Sequence, residues 1–234
     1  MAYDLLERNG QDLRSAPLQQ RLEQLSAVQQ RMDANTAGWR CRLSSGQQLV
    51  DWDQLNRLRQ EAVEQGAEGV MLKQLKSPYL SGRKRGHWWK HKRDPMTLDA
   101  VLIYAQAGRG RRANLFTDYT FALWETQTES TSNPQLVTFA KAYSGLNDAE
   151  ILELDRWIRS HTRERFGPTR SVEPELVFEI GFEGIQTSRR HKCGLAVRFP
   201  RILRWRSDRT ADSANTIEDA RTLCDQVVKR TSSL

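Results

Sequence analysis

The sequence is poor in cysteine and has no long hydrophobic run. Its three cysteines, Cys41, Cys193 and Cys224, are odd in number and widely spaced. They indicate neither a disulfide framework nor a zinc site. No apolar stretch is long enough to cross a bilayer, and no signal peptide precedes the first polar residues. These absences exclude a disulfide-stabilised secreted module and a helical membrane protein, and the sequence predicts a cytoplasmic protein.

Acidic residues are outnumbered. There are 36 lysines and arginines against 29 aspartates and glutamates, for a net charge of +7. The arginines cluster in three stretches, residues 83–85, 109–112 and 198–209. This clustering favours a polyanionic partner such as nucleic acid, although a basic protein with no such partner is the alternative. A hydrophobic content of 38% supports a buried core, and 234 residues suffice for one large domain or two small ones.

Up to Pro95 the pattern predicts helices mixed with short strands. Residues 1–6 are typical of a buried strand, and apolar residues at steps of three and four predict a helix from Pro17 to about residue 32. A short strand is predicted within residues 40–50. Asp51 is expected to cap a second helix that ends at Gly66. A strand, a loop and a strand then follow.

Beyond Pro95 the apolar period becomes two. It predicts strands at 98–105, 120–125, 136–143, 175–182 and 195–205, with a helix from Asp148 to near Gly167 inserted among them. Short strands with one inserted helix are typical of a partly open β-barrel such as an OB-fold. A last helix is predicted in the tail, with Asn215 and Glu218 as its capping box. The predicted class is α+β, with domains at residues 1–95, 96–209 and 210–234.

The stretch Ala67–Pro95 carries one acid and three lysines near a small apolar segment. Glu68 and Lys73 flank that segment, while Lys90 and Lys92 stand at alternate positions of the second strand. Alternate residues of a strand point to one face, so both ammonium groups should reach one pocket. Lysines suit the oxygens of a polyphosphate and a carboxylate suits its divalent metal. A solvated basic strand pair is the alternative.

A second dense stretch runs from Arg198 to Arg209. Arg204 and Arg206 alternate and are expected to share a strand face, where the planar arginine fork matches phosphate oxygens. Asp208 is expected either to hold one arginine in place or to approach a metal-bound group. The alternative is a barrel strand with a solvated basic face.

Together these stretches resemble the ATP-dependent DNA ligases, especially the bacterial forms. The resemblance rests on four segments in the family's order, and it extends to about Arg209. They are Ala2-Tyr3-Asp4-Leu5-Leu6, Glu68-Gly69-Val70-Met71-Leu72-Lys73, Trp89-Lys90-His91-Lys92 and the run from Arg198 to Arg209. The resemblance implies the C-terminal part of a nucleotidyltransferase (adenylation) domain followed by an OB-fold domain. Arg209 departs from the family, which usually has lysine there.

The resemblance also implies roles for individual residues. Glu68 would serve the catalytic metal, expected to be Mg²⁺, and Lys90 and Lys92 would contact the α-phosphate of ATP. Lys73 and Arg83 would line the same cleft. The residues that would orient the pyrophosphate are Arg201, Arg204, Arg206 and Asp208. The predicted partner is nicked duplex DNA, bound by a monomer, with the basic turn residues Arg109, Arg111 and Arg112 on its backbone.

One element of the family's chemistry is missing from the sequence. The reaction starts at a lysine in a Lys-x-Asp-Gly motif, which attacks the α-phosphorus of ATP, and no such motif occurs here. We expect a C-terminal fragment of a ligase, from a truncated gene, an internal start or an incomplete sequence, that cannot adenylate itself. The alternatives are a non-catalytic nucleic-acid-binding module, a degenerate nucleotidyltransferase, or a related enzyme such as an RNA ligase or an mRNA capping enzyme.

Overall fold

The computed structural model describes residues 1–35, 42–44, 46–125, 134–143 and 145–232, without the side chains of residues 33–35, 111 and 229–232. The chain divides into two compact units, Met1–Arg93 and Asp94–Leu234. Each unit has its own hydrogen-bonded sheets. Among the described helices, none combines the length and the apolar character needed to span a bilayer.

The first unit contains two helices and two small hairpins. Its elements are β1 (Glu7–Arg8), β2 (Gln11–Asp12), α1 (Leu18–Asn35), α2 (Trp52–Glu64), β3 (Gly69–Lys73) and β4 (Trp88–Lys92). Both helices are found where the apolar period predicts them. Asp51 caps α2 as predicted, since its carboxylate accepts the backbone N–H of Gln54 at 2.7 Å.

The start of the first unit differs from the prediction. Among residues 1–6 only Ala2 pairs, through an isolated parallel bridge to Leu43, and Tyr3 is 55% exposed. The predicted buried strand is therefore wrong, because the described residues provide no neighbouring strand to bury it. The short strand predicted within residues 40–50 is likewise reduced to this bridge in its described part, and Arg40, Cys41 and Ser45 lie outside the described residues.

The second unit is a curled antiparallel sheet with two helices. Its elements are β5 (Met96–Ala107), β6 (Phe116–Glu125), β7 (Gln135–Ala142), α3 (Asp148–Ser160), β8 (Thr162–Phe166), β9 (Thr169–Val172), β10 (Val177–Phe182), β11 (Gly184–Thr187), β12 (Leu195–Arg198), β13 (Arg201–Trp205) and α4 (Ile217–Ser232). The sheet runs β13-β10-β5-β6-β7. In addition, β9 pairs with β5, and β8 pairs with β9. β11 and β12 form a separate hairpin.

One large core cluster joins this sheet to the two helices of the second unit. Phe121, Phe178 and Phe182 are fully buried there, and α3 contributes Leu154 and Ile158. The last helix, α4, packs on the same core through Ile217, Ala220 and Cys224. Residues 217–224 thus belong to the second unit's core.

Three sequence predictions in this unit need correction. α3 ends at Ser160 rather than near Gly167, because residues 162–172 form the β8–β9 hairpin instead. The strand predicted over 195–205 is broken at Phe199, whose φ of 53° ends β12 before β13 begins. The predicted capping box of α4 is also wrong. Thr216 and Asp219 exchange the capping hydrogen bonds, while the Asn215 side chain accepts the Asp99 N–H.

Candidate functional site

The β3–β4 hairpin gathers the predicted lysines. Its register pairs Lys73 with Trp88, Met71 with Lys90 and Gly69 with Lys92. Directly opposite residues of an antiparallel pair share a face, so Lys73, Lys90 and Lys92 all lie on one face of the hairpin. Successive residues on that face of β4 are about 7 Å apart along the strand. The other face lies against α2, where His91 approaches the Asn56 side chain at 3.4 Å.

Lys73 is held between two aromatic rings. Its Nζ lies 4.7 Å from the ring centroid of Tyr3 and 4.4 Å from that of Trp88. Both are cation–π distances. Burial lowers the pKa of the Lys73 ammonium, although the charge of Asp4 opposes this and the charge of Arg21 adds to it. The ammonium group of Lys73 is therefore preorganised by the two rings, but its charge is not fully balanced. An anion on this face would stabilise the charged form.

Trp88 is fixed in turn by the loop between the two strands. Its indole N–H donates to the Ser77 hydroxyl at 3.2 Å, and its ring meets Tyr79 edge to face at 5.5 Å. The sequence pattern assigns no role to Ser77 or Tyr79. In the structure they set the position of the ring that holds Lys73.

Sequence reasoning missed the ion pair between Asp4 and Arg21. Their side chains are 3% and 0% exposed, and Arg21 donates to both carboxylate oxygens at 2.8 and 3.0 Å. Arg21 also donates to the carbonyl oxygens of Ala16 and Ser77. One guanidinium thereby ties the segment carrying Tyr3 to α1 and to the Ser77 loop. The only available signal was an arginine on the apolar side of the α1 pattern, between Leu18 and Leu25.

Gly69 allows the two strands of the hairpin to meet. It has a φ of 138°, and a Cβ at this position would lie 2.3 Å from the His91 carbonyl oxygen. Beside it, the Glu68 carbonyl accepts the Arg93 N–H at 2.9 Å. This closes the end of the hairpin at which Lys92 stands. Glu68 itself is exposed at that end.

Glu68 fits a metal that arrives with a nucleotide. The described residues contain no group of three His, Cys, Asp or Glu side chains able to enclose an ion. Mg²⁺ retains several waters and typically uses one or two carboxylates together with substrate phosphates. A single exposed carboxylate beside a lysine face matches that donor set. Arg83, the other predicted residue of this cleft, lies exposed on the loop between β3 and β4.

In the second unit a β-bulge rearranges the predicted arginine face. β13 pairs Arg204 with Glu179 and Arg201 with Gly181, and the register shifts between these two pairs. The bulge places Arg201 and Arg204, three residues apart, on one face. Arg204 lies 3.4 Å from the Glu179 carboxylate and remains 59% exposed. The predicted sharing of a strand face by Arg204 and Arg206 is not found, since Arg206 lies beyond the end of β13.

Arg206 is enclosed by two carboxylates. It donates to Asp99 at 2.8 and 3.1 Å and to Asp208 at 2.7 and 2.8 Å, and its side chain is 13% exposed. The hydrogen bonds that Arg206 donates to Asp208 are the largest cause of its raised pKa, with a further contribution from Asp99. The same bonds hold the pKa of Asp208 well below its ordinary range. Arg209 also reaches Asp99, at 3.2 Å. Asp208 thus holds an arginine in place, and Asp99 is a partner that the sequence did not reveal.

The predicted basic turn joins β5 to β6. Gly110–Arg112 forms one short 3₁₀ turn. Arg109 is exposed, and Arg112 is exposed beside Asp148 at 3.9 Å. The side chain of Arg111 lies outside the described residues.

Two family descriptions match the chain. "ATP dependent DNA ligase domain" matches residues 1–92, and "ATP dependent DNA ligase C terminal region" matches residues 112–209. The chain belongs to the ATP-dependent DNA ligase family. The resemblance carried by the four sequence segments is confirmed.

Curated relatives include both bacterial and archaeal ligases. The chain is 42% identical over 168 residues to a probable DNA ligase of Koribacter versatilis, covering 72% of this chain and 28% of that protein. It is 34% identical over 224 residues to the DNA ligase of Haloferax volcanii, covering 96% of this chain and 37% of that protein. The chain spans about a third of the length of these two relatives.

A solved structure supports the fold. A Lig E DNA ligase matches with a TM-score of 0.54 at 20% identity, over 88% of this chain and 62% of that one. The predicted class is confirmed as nucleotidyltransferase and OB-fold architecture of the ligase family.

Proposed function

We propose that this chain supplies the C-terminal part of the adenylation domain and the OB-fold domain of an ATP-dependent DNA ligase. The domains would be residues 1–95 and 96–209, and the tail 210–234 would pack on the second domain through α4. The observation that carries the proposal is the placement of Lys73, Lys90 and Lys92 on one hairpin face. Three ammonium groups arranged along one face suit a triphosphate.

ATP would bind with its phosphates against this face. Lys90 and Lys92 would contact the α-phosphate and draw charge from it, while Lys73, fixed between its two rings, would orient the chain of phosphates together with Arg83. Preorganised cations stabilise charge that develops on the phosphoryl oxygens in the transition state. Glu68 would hold a divalent metal, proposed to be Mg²⁺, which would neutralise phosphate charge when bound.

The second unit would act on the pyrophosphate of ATP. Arg204 is exposed and Arg201, on the same face, is partly exposed, so both are suited to contact phosphate oxygens directly. The donors of Arg206 are already bound to Asp99 and Asp208. Arg206 and Asp208 would therefore position the run from Arg198 to Arg209. The Asp99 carboxylate would also hold Arg209.

Nicked duplex DNA would be the nucleic-acid substrate. The net charge of +7 and the exposed side chains of Arg109 and Arg112 support binding to its backbone, and Arg111 of the same turn would take part. The protein would act as a monomer in the cytoplasm. The two cysteines of the second unit, Cys193 and Cys224, are free and buried, as suits a reducing compartment.

A fusion protein tests the proposal. The chain alone, which lacks Lys-x-Asp-Gly, should give no acid-stable adduct with labelled ATP and Mg²⁺. A segment carrying the family's lysine motif, taken from a full-length ligase, would be joined ahead of Met1. The fusion should form a lysine–AMP adduct. Replacing Lys90 and Lys92 with Ala should slow its formation by about a hundredfold or more.

Lys76→Ala is the matched control, since Lys76 is an exposed lysine of the β3–β4 loop. It should leave adenylation within about twofold. An adduct on the chain alone would contradict the proposal. So would equal labelling of the Lys90/Lys92 variant and the control. A fusion that binds DNA but never labels would favour the non-catalytic binding module.

A further inference from the structure

A cleft of about 270 Å³ opens in the second unit, and none of its lining residues belongs to the run from Arg198 to Arg209. Its walls come from the ends of the β5–β6 connection, the C-terminal end of α3 and the tip of the β8–β9 hairpin. They include Phe116, Arg159, Pro168 and Arg170. One water occupies roughly 30 Å³, so the cleft has room for a hydrated phosphate group.

Two arginines face each other across the hairpin beside this cleft. Arg165 is directly opposite Arg170 in the β8–β9 register, which places both side chains on the same face. Like charges at directly opposed positions destabilise an antiparallel pair. In the part of the chain that the structure describes, neither arginine forms an ion pair, although Arg170 donates to the backbone carbonyls of Gly167 at 2.8 Å and Thr169 at 3.3 Å. By contrast, Arg163 on the same strand lies 3.4 Å from Glu173.

Arg159 completes a basic wall. Its guanidinium lies 5.5 Å from the Phe116 ring centroid and donates to the Asp155 carboxylate and the Asn114 carbonyl, both at 2.6 Å. These contacts fix its plane at the cleft, and the hydrogen bond to Asp155 raises its pKa. The charge of Arg159 is balanced by Asp155. The uncompensated charge therefore comes from Arg165 and Arg170.

The ligand that suits this arrangement is a phosphate. Arginine forks bind phosphate oxygens in pairs, and an anion between Arg165 and Arg170 would relieve their repulsion. The cleft also adjoins the basic turn, since Ala107 and Ala113 on either side of that turn line it. A polymer with a regular phosphate backbone can occupy the turn and the cleft together.

We propose that Arg165 and Arg170, with Arg159 beside them, bind a backbone phosphate of duplex DNA next to the Arg109–Arg112 turn. The inference rests on the proposed DNA-binding function and adds a site to it. Because the contact is to the backbone, it should be the same on nicked and intact duplex. The like-charged pair is retained at a cost in stability that bound DNA offsets.

Binding of the chain to labelled nicked duplex, followed by fluorescence anisotropy over a salt series, tests the site. The double variant R165Q/R170Q should bind at least about tenfold more weakly at low salt. It should also lower the slope of log K against log salt by about one, as loss of one phosphate contact predicts. R163Q is the matched control, because it removes one charge from the same strand, and it should change affinity by about twofold or less.

Two further measurements distinguish a backbone contact from a structural arginine pair and from a free-anion site. Without DNA, the double variant should melt at the same temperature as the parent or slightly higher, because the repulsion that is removed offsets the loss of the Arg170 hydrogen bonds to the hairpin turn. Inorganic phosphate at constant ionic strength should not displace DNA from the parent chain, as expected for a contact to the DNA backbone. A lower melting temperature of the double variant would make the arginines structural and overturn the inference.

Equal affinity and slope for R165Q/R170Q and R163Q would also overturn it. Displacement of DNA by inorganic phosphate would do the same. If the parent chain fails to bind any duplex, the proposed function itself fails. If the parent chain binds DNA, but no more tightly than the double variant, only the site at Arg165 and Arg170 is overturned and the proposed function stands.

Discussion

At the scale of the residue, the pair between Asp4 and Arg21 shows how one charge organises a site it does not touch. Arg21 is fully buried and uses its donors on Asp4, Ala16 and Ser77. These acceptors hold the segment carrying Tyr3 and the loop that braces Trp88. Lys73 is positioned by the rings of Tyr3 and Trp88. Its position therefore depends on the buried Asp4–Arg21 pair, although neither of those residues is one of the two rings that hold it.

Arg21→Met should destabilise the first unit by about 3–5 kcal/mol, since it leaves the Asp4 carboxylate buried without its partner. Arg14→Met is the control. It breaks the Arg14–Asp12 pair, whose side chains are 59% and 57% exposed, and it should cost at most about 1 kcal/mol. Urea unfolding of the two variants measures the difference. Equal losses would show that the Asp4–Arg21 pair behaves as a surface pair.

At the scale of the element, the β3–β4 hairpin depends on Gly69 in a way that its sequence pattern does not reveal. Its φ of 138° and the close approach of the His91 carbonyl leave no room for a side chain. The alternation of the lysines predicts their common face. It does not predict how close the neighbouring strand must come.

Gly69→Ala should cost about 2–4 kcal/mol, combining backbone strain with a clash against main-chain atoms. Gly82→Ala is the matched control, because Gly82 also has a positive φ, of 77°, but nothing lies within 4 Å of its Cβ position. It should cost about 1 kcal/mol. Thermal unfolding of both variants provides the measurement, and equal costs would contradict the role of the close approach.

The cap of α4 gives a second test at this scale, with a pH dependence. The Asp219 carboxylate accepts hydrogen bonds from the Thr216 backbone N–H and from the Asn215 amide. These bonds, with the Thr216 hydroxyl, lower the pKa of Asp219. A carboxyl with a lowered folded pKa stabilises above its unfolded value, near 4, and loses that contribution as the pH falls through the folded pKa. Thr216→Ala should cost about 1 kcal/mol at neutral pH.

Asp219→Asn should remove this part of the acid sensitivity, measured as the change in unfolding free energy between pH 6 and acid. Glu218→Gln is the control, because Glu218 is exposed and pairs with Arg221. It should alter stability by less than about 0.5 kcal/mol. A larger loss from Glu218→Gln than from Asp219→Asn would restore the cap predicted from sequence.

At the scale of the whole molecule, the two units differ in the size of their hydrophobic cores. In the described part of the first unit, the buried apolar side chains are Leu13, Leu18, Leu25 and Leu55. The second unit has a continuous core spanning its curled sheet, α3 and α4. Apolar burial is the main favourable term in folding, so the first unit has the smaller driving force.

Hydrogen exchange should therefore show lower protection in α1, α2 and β3–β4 than in β5, β6 and β10. In increasing urea the first unit should open before the second. Mass spectrometry of exchanged peptides from the full chain separates the two units directly. A single protection level across both would contradict the difference in core.

The sequence by itself determined the two helices of the first unit, the main strands of the second and the face shared by Lys90 and Lys92. These follow from periods of 3.6 and 2, which are local and readable along the chain. It also determined the family, because four segments occur in order. The bulge in β13, the break at Phe199 and the Thr216–Asp219 cap were decided by tertiary structure.

The same holds for the partners of the charged groups. Asp99 with Arg206 and Asp4 with Arg21 are brought together by strand register and helix packing over distances that no local pattern encodes. A charge in the sequence has no known counter-charge until the fold supplies one. That is why the sequence identified the lysines and arginines of this protein, while only the tertiary structure decided which are fixed in place and which remain exposed for a phosphate.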